Sequence, residues 1–275
     1  MATDAVTSLP IGVFDSGVGG LTVLSALTAE LPGESFLYLG DTARLPYGTK
    51  SAETVIRYAE QAAHVLIEQG VKFLVIACNT ASAEALDHLT RSFAPVPVLG
   101  VVEPGARAAC AASRSQRILV IATEGTVRSG AYPRAIREIA PAARVYQKAC
   151  PLFVALAEEG WVTGPIAEAV ARRYLEPALA EDPEIDCVVF GCTHFPVLAP
   201  AIARVVGPGI TLVDSARTAA QAVAARLHRG GATAPDGAAR GPRLMATDAP
   251  QRFARVGAVF LGAAIVEGAV ELVDL

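Results

Sequence analysis

The sequence predicts an α/β fold made of two similar α/β halves, each built on a mostly parallel sheet. Three observations predict it. Short β-branched runs alternate with longer Ala- and Leu-rich stretches, the pattern of strand–helix–strand units. A chain of 275 residues is long for one domain and natural for two small ones. Finally, Val75-Ile76-Ala77-Cys78-Asn79-Thr80 nearly repeats Val189-Phe190-Gly191-Cys192-Thr193-His194: apolar run, small residue, cysteine, two polar residues. Upstream, IGVFDSG at 11–17 resembles ILVIATEG at 118–125, each an apolar run ending in a hydroxyl and a glycine turn. Buried strands share composition in any such fold, but shared cysteine positions are a stricter match. The repeat places the halves at residues 1–102 with 217–275 and at 103–216, their cysteines facing across a cleft.

Each strand is read from an apolar run with a polar or turn-forming boundary. Residues 11–14 close on Asp15-Ser16-Gly17, 35–39 on Gly40-Asp41, and 72–77 on Cys78-Asn79. The run 96–99 lies where Pro95, Pro97 and Pro104 crowd one junction. Further strands are expected at 117–122, 144–147, 186–190 and 211–213. Helices are expected over 20–31, 52–69, 129–139 and 165–179, with further helices starting at Ala81 and Val197. Residues 230–242, rich in Gly, Ala and Pro, read as an exposed loop.

Composition excludes several classes. The apolar runs at 73–78 and 118–122 have strand length, short of the roughly 20 residues needed to span a bilayer. Residues 1–10 contain Asp4 and no basic segment followed by an apolar one, so no signal peptide and a cytoplasmic location are expected. The net charge is −4 and the basic residues are scattered, which argues against direct nucleic-acid binding. Five cysteines, an odd number without CxxC spacing, point to free thiols rather than disulfides or a metal site.

In open α/β sheets, ligands bind beyond the carboxyl ends of the strands. Cys78 and Cys192 each end an apolar strand and precede a helix N-terminus, whose free N–H groups and partial positive charge favour a thiolate. Two such thiols on one pocket, one charged and one protonated, can remove a proton from one face of a carbon and return one to the other. Cys110, in an Ala run, and Cys150 and Cys187, inside or beside apolar strands, read instead as small buried hydrophobes. Asn79, Thr80, Thr193 and His194 suit a carboxylate and an ammonium better than a dry core. The glycine turn at 17–20 aims Asp15 and Ser16 at the same crevice; a dinucleotide fingerprint started at Gly17 fails at Thr22. The backbone N–H groups of Tyr47 and Gly48 are placed to bind a carboxylate. Pyridoxal phosphate needs a Schiff-base lysine, and of Lys50, Lys72 and Lys148 the second begins a strand and the others lie in no cofactor motif. No cofactor is expected.

Five motifs in order resemble the glutamate racemase family of the aspartate/glutamate racemase superfamily: FDSGVGGL at 14–21, GDTARLPYG at 40–48, ACNTAS at 77–82, ATEGTVRSGAY at 122–132 and GCTHFP at 191–196. The stretch at 149–154, followed by Glu158, is also similar, and the resemblance runs from about residue 11 to 262. It implies two α/β domains, the second inserted in the first, with the active site in the cleft between them. It also implies that Cys78 and Cys192 are the acid/base pair, Cys192 acting on L-glutamate and Cys78 on D-glutamate. Asp15, Ser16, Tyr47, Gly48, Asn79, Thr80, Thr193 and His194 would surround the substrate. Asp15 and His194 would also tune the thiols, with Asp41 and Glu158 as weaker candidates. Phe195 stands where the family usually has Tyr. The activity implied is cofactor-independent racemisation of glutamate, supplying D-glutamate for peptidoglycan, by a homodimer. Contact with DNA gyrase, reported for some relatives, is the remoter implication. A racemase or lyase for aspartate, hydantoins or maleate is the rival enzymatic reading.

Overall fold

The strand Ile11–Asp15 (β1) lies inside a six-stranded sheet of the computed structural model, which describes residues 6–235, 237–266 and 268–275. It pairs in parallel with β2 (Phe36–Gly40) on one side, Val13 opposite Tyr38, and with β3 (Phe73–Ile76) on the other, Val13 opposite Val75. β4 (Val98–Gly100) flanks β3. β9 (Arg243–Ala246) and β10 (Val270–Leu272) extend the sheet beyond β2, giving the order β10-β9-β2-β1-β3-β4. A second parallel sheet joins β5 (Arg117–Ala122), β6 (Arg144–Ala149), β7 (Cys187–Gly191) and β8 (Thr211–Asp214) in the order β6-β5-β7-β8.

The segment β2-β1-β3-β4 and the whole of the second sheet are one arrangement used twice. In both, the chain steps from its first strand outward on one side and then returns to the other. That reversal opens a crevice at the carboxyl ends of β1 and β3, and again at those of β5 and β7. Cys78 and Cys192 follow the equivalent strands β3 and β7, so the sequence repeat is a structural one.

The strands β1, β2, β3 and β7 read as continuous apolar runs because both faces are buried. Ile11, Val13, Phe73 and Val75 point one way, into a core continuous with Leu119, Ile121, Val188 and Phe190 of the second sheet. Phe14, Leu74 and Ile76 point the other way, into the core that includes Val55 and Ala59 of the helix Ala52–Glu68 and Ala85 of the helix Asn79–Ser92. Ile118, Val120 and Val189 pack with residues of the helices Val102–Ala112 and Ala131–Ile139. Each such side chain stabilises the fold by roughly 1.5–3 kcal/mol, so both sheets are firm platforms for the loops at their strand ends.

Several elements differ from expectation. The helix expected over 129–139 is two helices, Glu124–Ser129 and Ala131–Ile139, because Gly130 adopts a left-handed conformation (φ 64°) that ends the first. The helix expected from Val197 begins at Ala199, after a 3-10 turn at Phe195–Leu198. β9 and β10 go beyond the eight expected strands: with four and three residues they show no period, and pairing places them. Residues 231–242 form the expected loop, apart from Asp236, which lies outside the described residues. The reading of residues 1–10 falls half on residues 1–5, also outside them. Among the described residues no helix is long and apolar enough to cross a membrane.

Candidate active site

The two repeated crevices meet at one small cavity of about 40 Å³, lined by both Cys78 and Cys192. Ser16, Tyr47, Gly48, Asn79, Thr80, Thr193 and His194 also line it, together with Pro46, Thr123, Val154 and Gly191. Of the two thiols and the eight residues expected around the substrate, only Asp15 is absent from the wall, as are the weaker candidates Asp41 and Glu158. Asp15 lies behind the wall, fully buried at the end of β1, where Oδ2 accepts the Gly17 N–H at 3.0 Å. Cys110, Cys150 and Cys187 do not line the cavity.

Cys78 is the N-cap of the helix Asn79–Ser92, its Sγ accepting the Ala81 N–H at 3.4 Å. The sequence reading has such a helix end favouring a thiolate. At Cys78 it does not prevail. Burial, and then the charge of Asp15, push the thiol up to about 12, although the Ser16 hydroxyl and the Ala81 amide pull the other way. A buried sulfur loses more solvation than one helix terminus returns. Burial likewise raises the Asp15 carboxyl, opposed by His194 and by the backbone N–H groups of Gly20, Gly17 and Ser16.

Cys192 has a different neighbourhood. His194 Nδ1 lies 3.8 Å from its Sγ, and His194 Nε2 lies 3.3 Å from Glu158 Oε1. Burial works against a charged imidazole here, but the hydrogen bonds to Cys192 and Glu158, with the nearby Asp15, outweigh it and push His194 up to about 10. One thiol therefore sits in a buried field beside a carboxyl, and the other faces an imidazole whose protonated form its neighbours favour. Glu158 Oε2 in turn accepts Arg252 Nη2 at 2.8 Å.

The polar wall is held across both sheets. Tyr132 Oη donates to Asn79 Oδ1 at 2.7 Å, and Asn79 Nδ2 donates to Ser215 Oγ at 3.5 Å, so the amide is fixed at both ends. Thr80, Thr123 and Thr126 close a ring of hydroxyl contacts at 3.0–3.2 Å. Gly48 meets Thr123 so tightly that a Cβ would lie 2.7 Å from the threonine Cβ. Asp41 is outside the cavity: its carboxylate accepts the Tyr47 hydroxyl, Arg44 Nε at 2.7 Å and Thr247 Oγ1 at 2.9 Å, bracing the loop that carries Tyr47 and Gly48. Phe195 is fully buried, edge-on to Phe153 with centroids 5.2 Å apart, and belongs to the core.

Sequence reasoning missed Tyr132, Thr123, Ser215 and Arg252. The first two lie inside a motif already recognised at 122–132, which was a usable signal. Ser215 and Arg252 carry none, because only folding brings them near. No lysine lines the cavity, and Lys72 is at the far end of β3, its Nζ 2.6 Å from Glu34 Oε2. Among the described residues no group of three or more His, Cys, Asp or Glu is arranged to hold a metal.

A second cavity of about 360 Å³ adjoins the first, sharing Pro46, Gly48, Thr123 and Val154.

The sequence profile of the Asp/Glu/Hydantoin racemase family matches residues 12–223. The glutamate racemase of Geobacter metallireducens is 49% identical over 252 residues, 92% of either chain. A glutamate racemase structure from Thermus thermophilus, in complex with β-chloro-D-alanine, superposes with a TM-score of 0.87 at 47% identity, covering 98% of both chains. One from Francisella tularensis, in complex with D-glutamate, does so with 0.89 at 37% identity, covering 97% of this chain and 98% of that one.

Proposed function

This chain belongs to the Asp/Glu/Hydantoin racemase family, and we propose that it interconverts L- and D-glutamate through the opposed thiols Cys78 and Cys192. One observation carries the reading: two cysteines in equivalent positions of a duplicated fold line one cavity, among small polar groups.

The α-hydrogen beside a carboxylate is a weak acid, and a positioned base supplies only about 10²–10⁴-fold. The remainder must come from groups that stabilise charge as the Cα–H electron pair moves onto the carboxylate oxygens. Ser16, Asn79, Thr80 and Thr193 serve there, with the backbone of Tyr47 and Gly48. For L-glutamate, Cys192 takes the proton, and negative charge on its sulfur is stabilised by His194; Cys78, kept as a thiol by burial, donates from the opposite face. D-glutamate reverses the roles, with Asp15 beside Cys78. Each turnover leaves the other thiol carrying the proton, and proton exchange with water resets the pair.

Residues 1–102 with 217–275 and residues 103–216 make up the two domains in this reading. Supporting it, the helix Val102–Ala112 packs on the second sheet and β9 and β10 complete the first. The physiological role is supply of D-glutamate for peptidoglycan in the cytoplasm, by a homodimer; light scattering and a gyrase supercoiling assay test the dimer and the gyrase contact. The activity itself is tested by incubating pure protein with L- and D-glutamate in deuterated water without cofactor. Deuterium should enter at Cα as the enantiomers interconvert. Turnover of aspartate, hydantoins or maleate in place of glutamate would overturn the assignment.

A further inference from the structure

We propose that Arg252 is a positioning residue for this reaction, holding Glu158 so that Glu158 holds His194 against Cys192. The inference rests on the two-thiol reading above and extends it to a part of the chain in which no motif points to chemistry.

The contacts run in series. Arg252 Nη2 lies 2.8 Å from Glu158 Oε2, Glu158 Oε1 lies 3.3 Å from His194 Nε2, and His194 Nδ1 lies 3.8 Å from Cys192 Sγ. The two oxygens of Glu158 are thus divided between Arg252 and His194, which fixes the plane of the carboxylate. Without Arg252 the carboxylate is held at one point only and is free to turn toward solvent. The hydrogen bond from His194 holds the Glu158 carboxyl below its ordinary value, with Arg252 adding to the effect against burial.

The same helix reaches the histidine a second time. Phe260, near the end of Pro250–Leu261, packs edge-on to the His194 ring with centroids 4.9 Å apart. That helix packs against β9 and β10 of the first sheet, whereas Glu158 ends the helix Pro151–Glu158, which follows β6 of the second. Arg252 therefore ties the two sheets together beside Cys192. The charged or titratable groups that act most on the imidazole all belong to this account: Cys192 from its own loop, Glu158 and through it Arg252, and Asp15 behind, with Cys78 across the same cavity.

The test exploits irreversible elimination. With a glutamate analogue carrying chloride at the β-carbon, the thiolate takes the α-proton, the Cα–H electron pair forms the Cα=Cβ bond, and chloride leaves with the Cβ–Cl pair. The second thiol supplies no proton, so each enantiomer reports on one base. Arg252→Gln should slow elimination from the L-analogue by about tenfold, below the roughly 10²-fold that a 1 Å misplacement costs. Elimination from the D-analogue should change less than about twofold, Arg252→Lys should recover part of the loss, and Arg255→Gln on the same helix should have no effect. The His194 titration, followed by nitrogen NMR, should move down in Arg252→Gln. Equal losses for both enantiomers, or an unchanged His194 titration, would overturn the proposal. Wild-type protein inert toward glutamate would overturn the activity instead, and the His194 titration would still decide the role of Arg252.

Discussion

A Cβ on Gly19 would lie 2.3 Å from Nδ1 of His194 and 2.5 Å from Oγ1 of Thr193. The turn after β1 and the turn after β7 thus touch where only a hydrogen fits, and that contact sets the imidazole beside Cys192. Neither turn can retreat easily: Thr22 Oγ1 donates to the Thr193 carbonyl at 3.1 Å, tying them together. Gly19→Ala should displace His194 and lower racemisation by roughly 10²-fold with the far-ultraviolet spectrum unchanged. A fully active Gly19→Ala enzyme would show that the imidazole position does not limit the rate.

Tyr132→Phe should raise KM for both enantiomers. It removes the donor that fixes Asn79 Oδ1 and leaves that buried oxygen without a partner. The stability loss expected for an orphaned buried acceptor is about 1–3 kcal/mol. Equilibrium urea unfolding and steady-state kinetics on the same variant check both halves; a stability loss with KM unmoved would make Tyr132 purely structural.

Stability should fall as pH rises from neutral toward 12. His194, pushed from 6.5 up to about 10, keeps its proton in the fold over a range where the unfolded chain releases it. Its contribution is complete below pH 6.5 and is lost as pH rises through 10. Cys78, raised from 9.0 to about 12, acts in the same direction at higher pH. Each such group contributes a slope of at most about −1.4 kcal/mol per pH unit. Urea unfolding at pH 6, 8 and 10 measures it, and His194→Asn should flatten the fall between pH 6.5 and 10.

The fold class and the cavity wall were legible because both depend on local pattern. The strands that carry Asp15, Cys78 and Cys192 are apolar runs buried on both faces, and each ends abruptly in polar residues that have no place in a core. The charge states were not legible. Cys78 has the right sequence context for a thiolate, yet burial and Asp15, 63 positions earlier in the chain, reverse the outcome. Arg252 and Ser215 were invisible for the same reason: neither has a local pattern, and each works through a contact that exists only once the sheets are assembled. Asp41 shows the converse, since a motif residue can serve a loop rather than the chemistry.

The division of labour between the thiols can be decided only by an irreversible reaction. The two enantiomers of glutamate have equal free energy in water, so kcat/KM must be the same in both directions for wild type and for every variant. A mutation at one thiol lowers both values together and says nothing about faces. Cys78→Ser and Cys192→Ser should each abolish racemisation, because a serine hydroxyl keeps the position but is far too weak an acid to serve as the anion near neutral pH. Elimination from the β-chloro analogue escapes the constraint, since reprotonation is replaced by loss of chloride. Cys78→Ser should still eliminate from the L-analogue, where Cys192 is the base and His194 is intact. Cys192→Ser should eliminate from the D-analogue only. One nucleophilic cysteine beside one structural cysteine predicts instead that a single variant retains normal racemisation. Full activity in either serine variant would therefore end the two-base mechanism, whereas swapped enantiomer preferences would keep it and exchange the faces assigned to Cys78 and Cys192.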